Sequence, residues 1–256
     1  MTQMEQQALD LIKAQVEEVQ SQHPDFELVV LESGEPEATG TLAFDIEHDG
    51  QRVRDTFEVR VRFPDDYDAS PPYVWETGGK IPSEFGHFMK AGNLCLGAPV
   101  ELTKNFSTHR NLLRFLNEQV VSYLFSYAYK RDHGTMPFGE LDHGYLGLLP
   151  YYQEEFRAPL VSTLKLLKSL ADNFMPPEGR CACGGNVTFR QCHGPQLAKL
   201  LAHHSPEAFE AELRGMLKLL QMPEIAEVLA ERRIVIPLRA VTPKRVLRRQ
   251  DRRSRR

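Results

Sequence analysis

The run CACGGNVTFRQCHG at residues 181–194 constrains this chain more than any other segment. It sets Cys181, Cys183, Cys192 and His193 in a C-x-C-x8-C-H spacing, four soft ligands inside one short loop. In a reducing compartment such a set reads as a structural, tetrahedral Zn2+ site, closed and therefore without a catalytic role, rather than as disulfides. The opposing reading is an accidental or reactive cluster. The fourth cysteine, Cys95, stands alone in GNLCLG between Gly92 and Gly97. A thiol kept apart from the metal set in a glycine-flanked loop is a candidate nucleophile, and the bland alternative is a small buried hydrophobe.

Upstream of that run the pattern alternates between helix and strand. Ala8, Leu9, Ile12, Val16 and Val19 predict an amphipathic helix over 4–20, ended by His23-Pro24. ELVVL at 27–31, the alternation Leu42/Phe44/Ile46, and Phe57/Val59/Val61/Phe63 set between Glu58, Arg60 and Arg62 read as half-buried strands. Turns at Ser33-Gly34 and Asp49-Gly50 join them into an antiparallel meander. From Thr77 to about Phe106 no period holds, and so long an irregular stretch reads as a functional segment. Ser107 or Thr108 is the expected cap of a helix carrying Leu112, Leu116, Val120 and Leu124 to about Tyr129. A link HGTMPFGELDHGYLG precedes one further helix over roughly 148–172, Met175–Gly179 reads as a linker, and short helices at about 195–203, 206–220 and 223–232 follow the cysteine run. The expected class is α+β, divided into residues 1–175, a small helical metal module at 176–238, and a tail at 239–256.

The 256 residues, 41% hydrophobic and 26% charged, suffice for a proper core. No apolar run approaches the ~20 residues of a membrane span, and MTQMEQQALD has no basic flank leading into an apolar stretch, so a cytoplasmic protein is expected. The net charge of −4 conceals an asymmetry: residues 239–256 hold nine basic side chains against Asp251 alone, a local +8 that leaves −12 on the body. Such a tail is either a solvated, disordered arm or a contact for nucleic acid or another anionic surface, and the absence of interleaved aromatics weakens base stacking.

The order of helix, meander, Phe63-Pro64, Tyr67, Pro71-Pro72 and then Gly92-Asn93-Leu94-Cys95-Leu96 resembles the ubiquitin-conjugating-enzyme (UBC-like) family over residues 4–130. The resemblance implies a UBC-like fold of N-terminal helix, four-stranded antiparallel meander and C-terminal helices, with Cys95 as the acyl-carrying cysteine. Where the family carries His-Pro-Asn, this chain has Phe85-Gly86-His87, as in divergent bacterial relatives. His87 then takes the Asn position and the role of oxyanion donor, against the plainer reading of a structural histidine. The cysteine run is similar to the SEC-C zinc motif, with its Lys-rich centre replaced by Asn186–Arg190.

By that resemblance the chain is a bacterial ubiquitin-conjugating-like transferase. It would carry a protein C-terminus as a thioester on Cys95 and pass it to a lysine, in the setting of an antiphage defence operon. Its partners would be a protein cargo with an activated C-terminus, either a ubiquitin-like protein or a cGAS-like nucleotidyltransferase, and a separate adenylating enzyme, since no Gly-rich nucleotide loop is present. His133 and His143 with Asp142 are candidates for a base near Cys95, or a glycine-held loop with satisfied histidines. The alternative function is a non-catalytic UBC-like adaptor that docks partners through the zinc module.

Overall fold

The computed structural model describes residues 3–67, 69–138 and 144–220. The chain forms two compact units, Met1–Gly147 and Leu148–Arg256. In the first, helix α1 (Gln3–Gln20) leads into strands β1 (Glu27–Val30), β2 (Pro36–His48), β3 (Gln51–Arg62) and β4 (Tyr73–Glu76). They make one antiparallel sheet in chain order, so the α+β class and the four-stranded meander hold. His48 pairs with Gln51, and the two-residue turn between them puts Asp49 and Gly50 at φ 50° and 73°, the geometry that matches strand twist.

Period-two alternation delivers one apolar face. Ala38, Leu42 and Phe44 of β2 and Phe57, Val59 and Val61 of β3 are buried in one cluster with Ile12, Val16 and Val19 of α1. Phe26 lies across β2 so closely that a Cβ on Gly40 would stand 2.8 Å from the Phe26 Cα, backbone that cannot step aside.

After β4 come a 3-10 turn (Ser83–Phe85) and helix α2 (Pro99–His109), then a continuous helical rod of α3 (Leu112–Phe115), a wider π-turn (Leu116–Val120) and α4 (Val121–His133). Two expectations are corrected here. A helix already begins at Pro99, inside the stretch read as irregular, because Pro at the first helical position needs no amide partner. Ser107 and Thr108 do not cap the rod: both hydroxyls donate back to the Lys104 carbonyl, and the cap is Asn111, whose side chain accepts from the Arg114 N–H at 2.7 Å. The π-turn has a sequence cause. Leu112, Leu116, Val120, Leu124 and Ala128 recur every four residues and all are fully buried. In a pure α-helix that spacing would drift by ~40° per step, and a wider turn rotates the stripe back toward the core.

Two helices, α5 (Gly144–Phe156), most of which belongs to the second unit, and α6 (Leu160–Ala171), replace the single helix expected over 148–172. Arg157 is left-handed (φ 48°) and Pro159 is extended, which stops the first helix and starts the second. Helices α7 (Gly194–Leu201) and α8 (Pro206–Leu220) follow the cysteine run, with α6 packed on α8. Residues 148–175, grouped from sequence with the first domain, thus fold with the cysteine loop. The expected helix at 223–232 and the basic tail lie outside the described residues.

Gln15 is the buried polar junction of the first unit. Its Oε1 accepts from the Tyr67 hydroxyl at 2.7 Å and the Leu112 N–H at 2.9 Å, and its Nε2 donates to the Arg110 carbonyl at 2.8 Å. Gln15→Leu strands all three groups, so it is expected to cost about 3 kcal/mol, read as a lower urea midpoint at unchanged m-value. A loss below about 1 kcal/mol would show that the stranded groups find other partners.

Candidate functional site

Cys95 sits at the end of a short antiparallel hairpin. Phe88 and Leu94 form its bridge, the Cys95 N–H donates to the His87 carbonyl at 2.9 Å, and the Met89 N–H donates to the Asn93 carbonyl at 2.8 Å. In this register His87 lies across from Cys95 in the pairing. Leu94 is buried in the core, while the His87 ring faces Phe85 and Tyr123 with its Nε2 shut off from solvent, so this side of the hairpin packs toward α4. The Leu94 N–H donates to the Val74 carbonyl at 2.8 Å, which seats the hairpin on β4, and the Trp75 indole N–H reaches the Ala91 carbonyl at 3.1 Å. Gly92 closes the turn at φ +80°, a conformation other residues avoid. Cys95 and His87 are therefore brought together by main-chain pairing.

Burial pushes the Cys95 thiol above its ordinary range, opposed by a backbone hydrogen bond from Gly97. The thiol is thus predominantly neutral near pH 7 and needs a basic partner or substrate binding to ionise. The His87 ring packs 4.6 Å from the Phe85 ring and edge-on to Tyr123. Tyr123, on α4, was not picked out from sequence. Its hydroxyl donates to the His87 carbonyl at 2.8 Å, the oxygen that also receives the Cys95 amide. Tyr127 and Arg131 continue the same stripe, to the Lys80 carbonyl at 2.6 Å and to Asp55 at 2.6 Å. The i, i+4, i+8 spacing of polar-tipped side chains was the signal. His133 ends α4 ten residues beyond Tyr123, ~15 Å along the axis, with its ring against Tyr129 at 4.5 Å, and is not brought to Cys95. His143 and Asp142 lie outside the described residues.

In the second unit Cys181, Cys183, Cys192 and His193 converge, their donor atoms all within 4.8 Å of one another. Cys183 Sγ and Cys192 Sγ are 3.7 Å apart, and His193 Nδ1 lies 3.2 Å from Cys181 Sγ and 3.1 Å from Cys192 Sγ. Two thiolates each ~2.3 Å from one tetrahedral ion would be ~3.8 Å apart, so the spacing fits. His193 Nε2 donates to the Phe156 carbonyl at 2.9 Å, which leaves the Nδ1 lone pair turned to the sulfurs. The Gly185 N–H approaches Cys183 Sγ at 3.4 Å, and Ser162 Oγ donates to the Cys183 carbonyl at 2.9 Å from α6. Burial, then hydrogen bonding with Cys183 and Cys181, pushes the Cys192 thiol up to about 12. This set can hold a metal ion. No helix among the described residues is long and apolar enough to cross a membrane.

No family model matches the chain, and no curated protein matches it. Among solved structures it is similar to the yeast vps23 UEV domain in complex with a vps27 PSDP peptide, at 14% identity over 50% of this chain and 80% of that one, with a low TM-score of 0.29.

Because burial raises the Cys95 pKa, its alkylation by iodoacetamide is expected to rise with pH about a midpoint above the ~8.5 of a free thiol, and to be slower at pH 7 than that of the same peptide in the denatured chain. Peptide mapping of the alkylated Cys95 reads this out. A midpoint at or below the free-thiol value would mean the thiol is activated in the resting protein.

Proposed function

We propose that this chain is a UBC-like acyltransferase. Cys95 carries a protein C-terminus as a thioester, His87 supports the oxyanion of each acyl transfer, and a structural Zn2+ on Cys181, Cys183, Cys192 and His193 stabilises the second unit. The observation that carries the reading is the pairing of Cys95 with His87 across the hairpin, beside Tyr123 of α4, with no other cysteine in the first unit. A ring N–H there can donate to an oxyanion as an amide does, a contribution of ~10²-fold or more in rate. The cargo fits a ubiquitin-like protein or a nucleotidyltransferase activated by a separate adenylating enzyme, in a bacterial defence setting, and the acceptor is a lysine amine. The domain reading keeps the UBC-like part first and the zinc module second, with the basic tail as an arm for an anionic surface.

Acyl transfer to Cys95 joins the thiolate sulfur to the carbonyl carbon and expels the activating group. The amine then attacks the thioester, loses a proton and releases the thiol. The Zn2+, when bound, supplies only cross-linking, since four protein ligands leave no open position. One observation favours the adaptor reading: the half-buried, neutral thiol of the resting protein is a weak nucleophile. On that reading the hairpin face binds a partner without covalent chemistry.

Incubation with activated cargo should give a wild-type adduct cleaved by excess thiol, a slower oxyester with Cys95→Ser, and nothing with Cys95→Ala. Undiminished transfer by Cys95→Ala would eliminate the covalent mechanism and leave the adaptor. Separately, metal analysis is expected to find about one zinc per chain, and Cys183→Ser to lose it. Because Phe156 and Ser162 bond to the ligand loop, that loss should loosen α5–α8 together while α1–α4 stay protected in amide exchange. Protein purified without chelator and free of zinc would remove the metal claim.

A further inference from the structure

Main-chain pairing sets His87 across from Cys95, and the bonds that seat the hairpin on β4 come from its Ala91–Leu94 side, so the His87 side is held separately. Tyr123 supplies the hold in two ways. Its hydroxyl donates to the His87 carbonyl at 2.8 Å, beside the Cys95 N–H that reaches the same oxygen at 2.9 Å. Its ring stands edge-on to the His87 imidazole at 87°, with Phe85 completing a triangle of rings at 4.6 Å from His87 and 5.9 Å from Tyr123. The π-turn just upstream sets the rotation of α4, and Tyr127 on the next turn fastens the Lys80 carbonyl at 2.6 Å. The helix thus grips the segment leading into the hairpin at two points.

We infer that Tyr123 is a positioning residue for acyl transfer at Cys95: its hydroxyl and ring together fix His87 where the imidazole meets the oxyanion. This rests on the reading of Cys95 and His87 given above. Burial, followed by the negative charges of the Cys95 thiolate and Glu76, pushes the Tyr123 phenol far above its ordinary range. The hydroxyl therefore stays protonated, and able to donate, near neutral pH, and its link to the thiolate charge places the two groups within electrostatic reach. In the transfer step the Cys95 thiolate adds to a carbonyl carbon, the carbonyl oxygen gains the charge, and collapse expels the leaving thiolate. The Cys95 proton passes to solvent. Tyr123 neither gains nor loses a proton.

Two small probes separate this role from simple nucleophilicity. S-phenyl thioacetate reacts through an oxyanion and releases thiophenolate, whereas iodoacetamide alkylates the same sulfur without one. The ratio of the two Cys95 rates cancels the thiolate fraction, so a change in thiol pKa or exposure does not move it. Tyr123→Phe, which keeps the ring, is expected to lower the ratio about tenfold. His87→Ala should lower it at least as far, and Tyr123→Phe added to His87→Ala should change it by less than about twofold, the non-additivity of one residue acting through another. Tyr123→4-aminophenylalanine, whose amine donates from the same place, covers the case in which Tyr123→Phe does not fold, and is expected within about twofold of wild type. An unchanged ratio in Tyr123→Phe beside a lowered one in His87→Ala overturns this inference alone, as does an equal fall caused by Tyr123→Phe in both backgrounds, or a tenfold fall with the amine. An unchanged ratio in His87→Ala overturns the oxyanion role itself and the inference with it.

Discussion

The first unit is organised around a single buried carboxamide. Gln15 satisfies a tyrosine hydroxyl, a helix N-terminal amide and a carbonyl at the preceding left-handed turn, three groups that would otherwise be shut away from water unpaired. Two of them flank Asn111, so Gln15 sets where the long helical rod begins. From that origin the four-residue apolar stripe and the π-turn set the rod's rotation, and the rotation decides which side chains of α4 meet the segment from Lys80 to His87. The geometry around Cys95 is in this sense inherited from a glutamine on the opposite side of the sequence.

Features whose signal is a repeated side-chain pattern were legible in the sequence. The meander follows from period-two alternation and from Asp49-Gly50, and α1 follows from its apolar spacing; the isolation of Cys95 and the convergence of Cys181, Cys183, Cys192 and His193 were also foreseen. What escaped has main-chain causes. Ser107 and Thr108 offer good capping hydroxyls but spend them within α2, on the Lys104 carbonyl. The long helix expected at 148–172 breaks at Arg157, a residue whose type gives no warning of a left-handed backbone. Tyr123 went unseen because its partner is a carbonyl, which every residue owns. The strict spacing of Leu112, Leu116, Val120 and Leu124 held the π-turn in plain view, for a reader counting drift as well as period.

The two thiol environments oppose each other physically. Cys95 is a single sulfur in partial burial, where the neutral form is favoured and charge appears only when chemistry calls for it. The three cysteines near His193 are close enough that their sulfurs, with Nδ1, could hold one metal ion. One site keeps its thiol neutral by withdrawing solvent; the other gathers donor atoms that a metal ion could share.

The bond from His193 to the Phe156 carbonyl joins the ligand set to the last turn of α5. It commits one ring nitrogen to a helix and the other to the sulfurs, so the fourth ligand is aimed only while that helix is in place. Free energies of this kind are reciprocal. For any ion the set holds, whatever secures α5 would tighten the grip and whatever peels α5 away would loosen it, which would make ion affinity a gauge of how well the helices of the second unit are assembled.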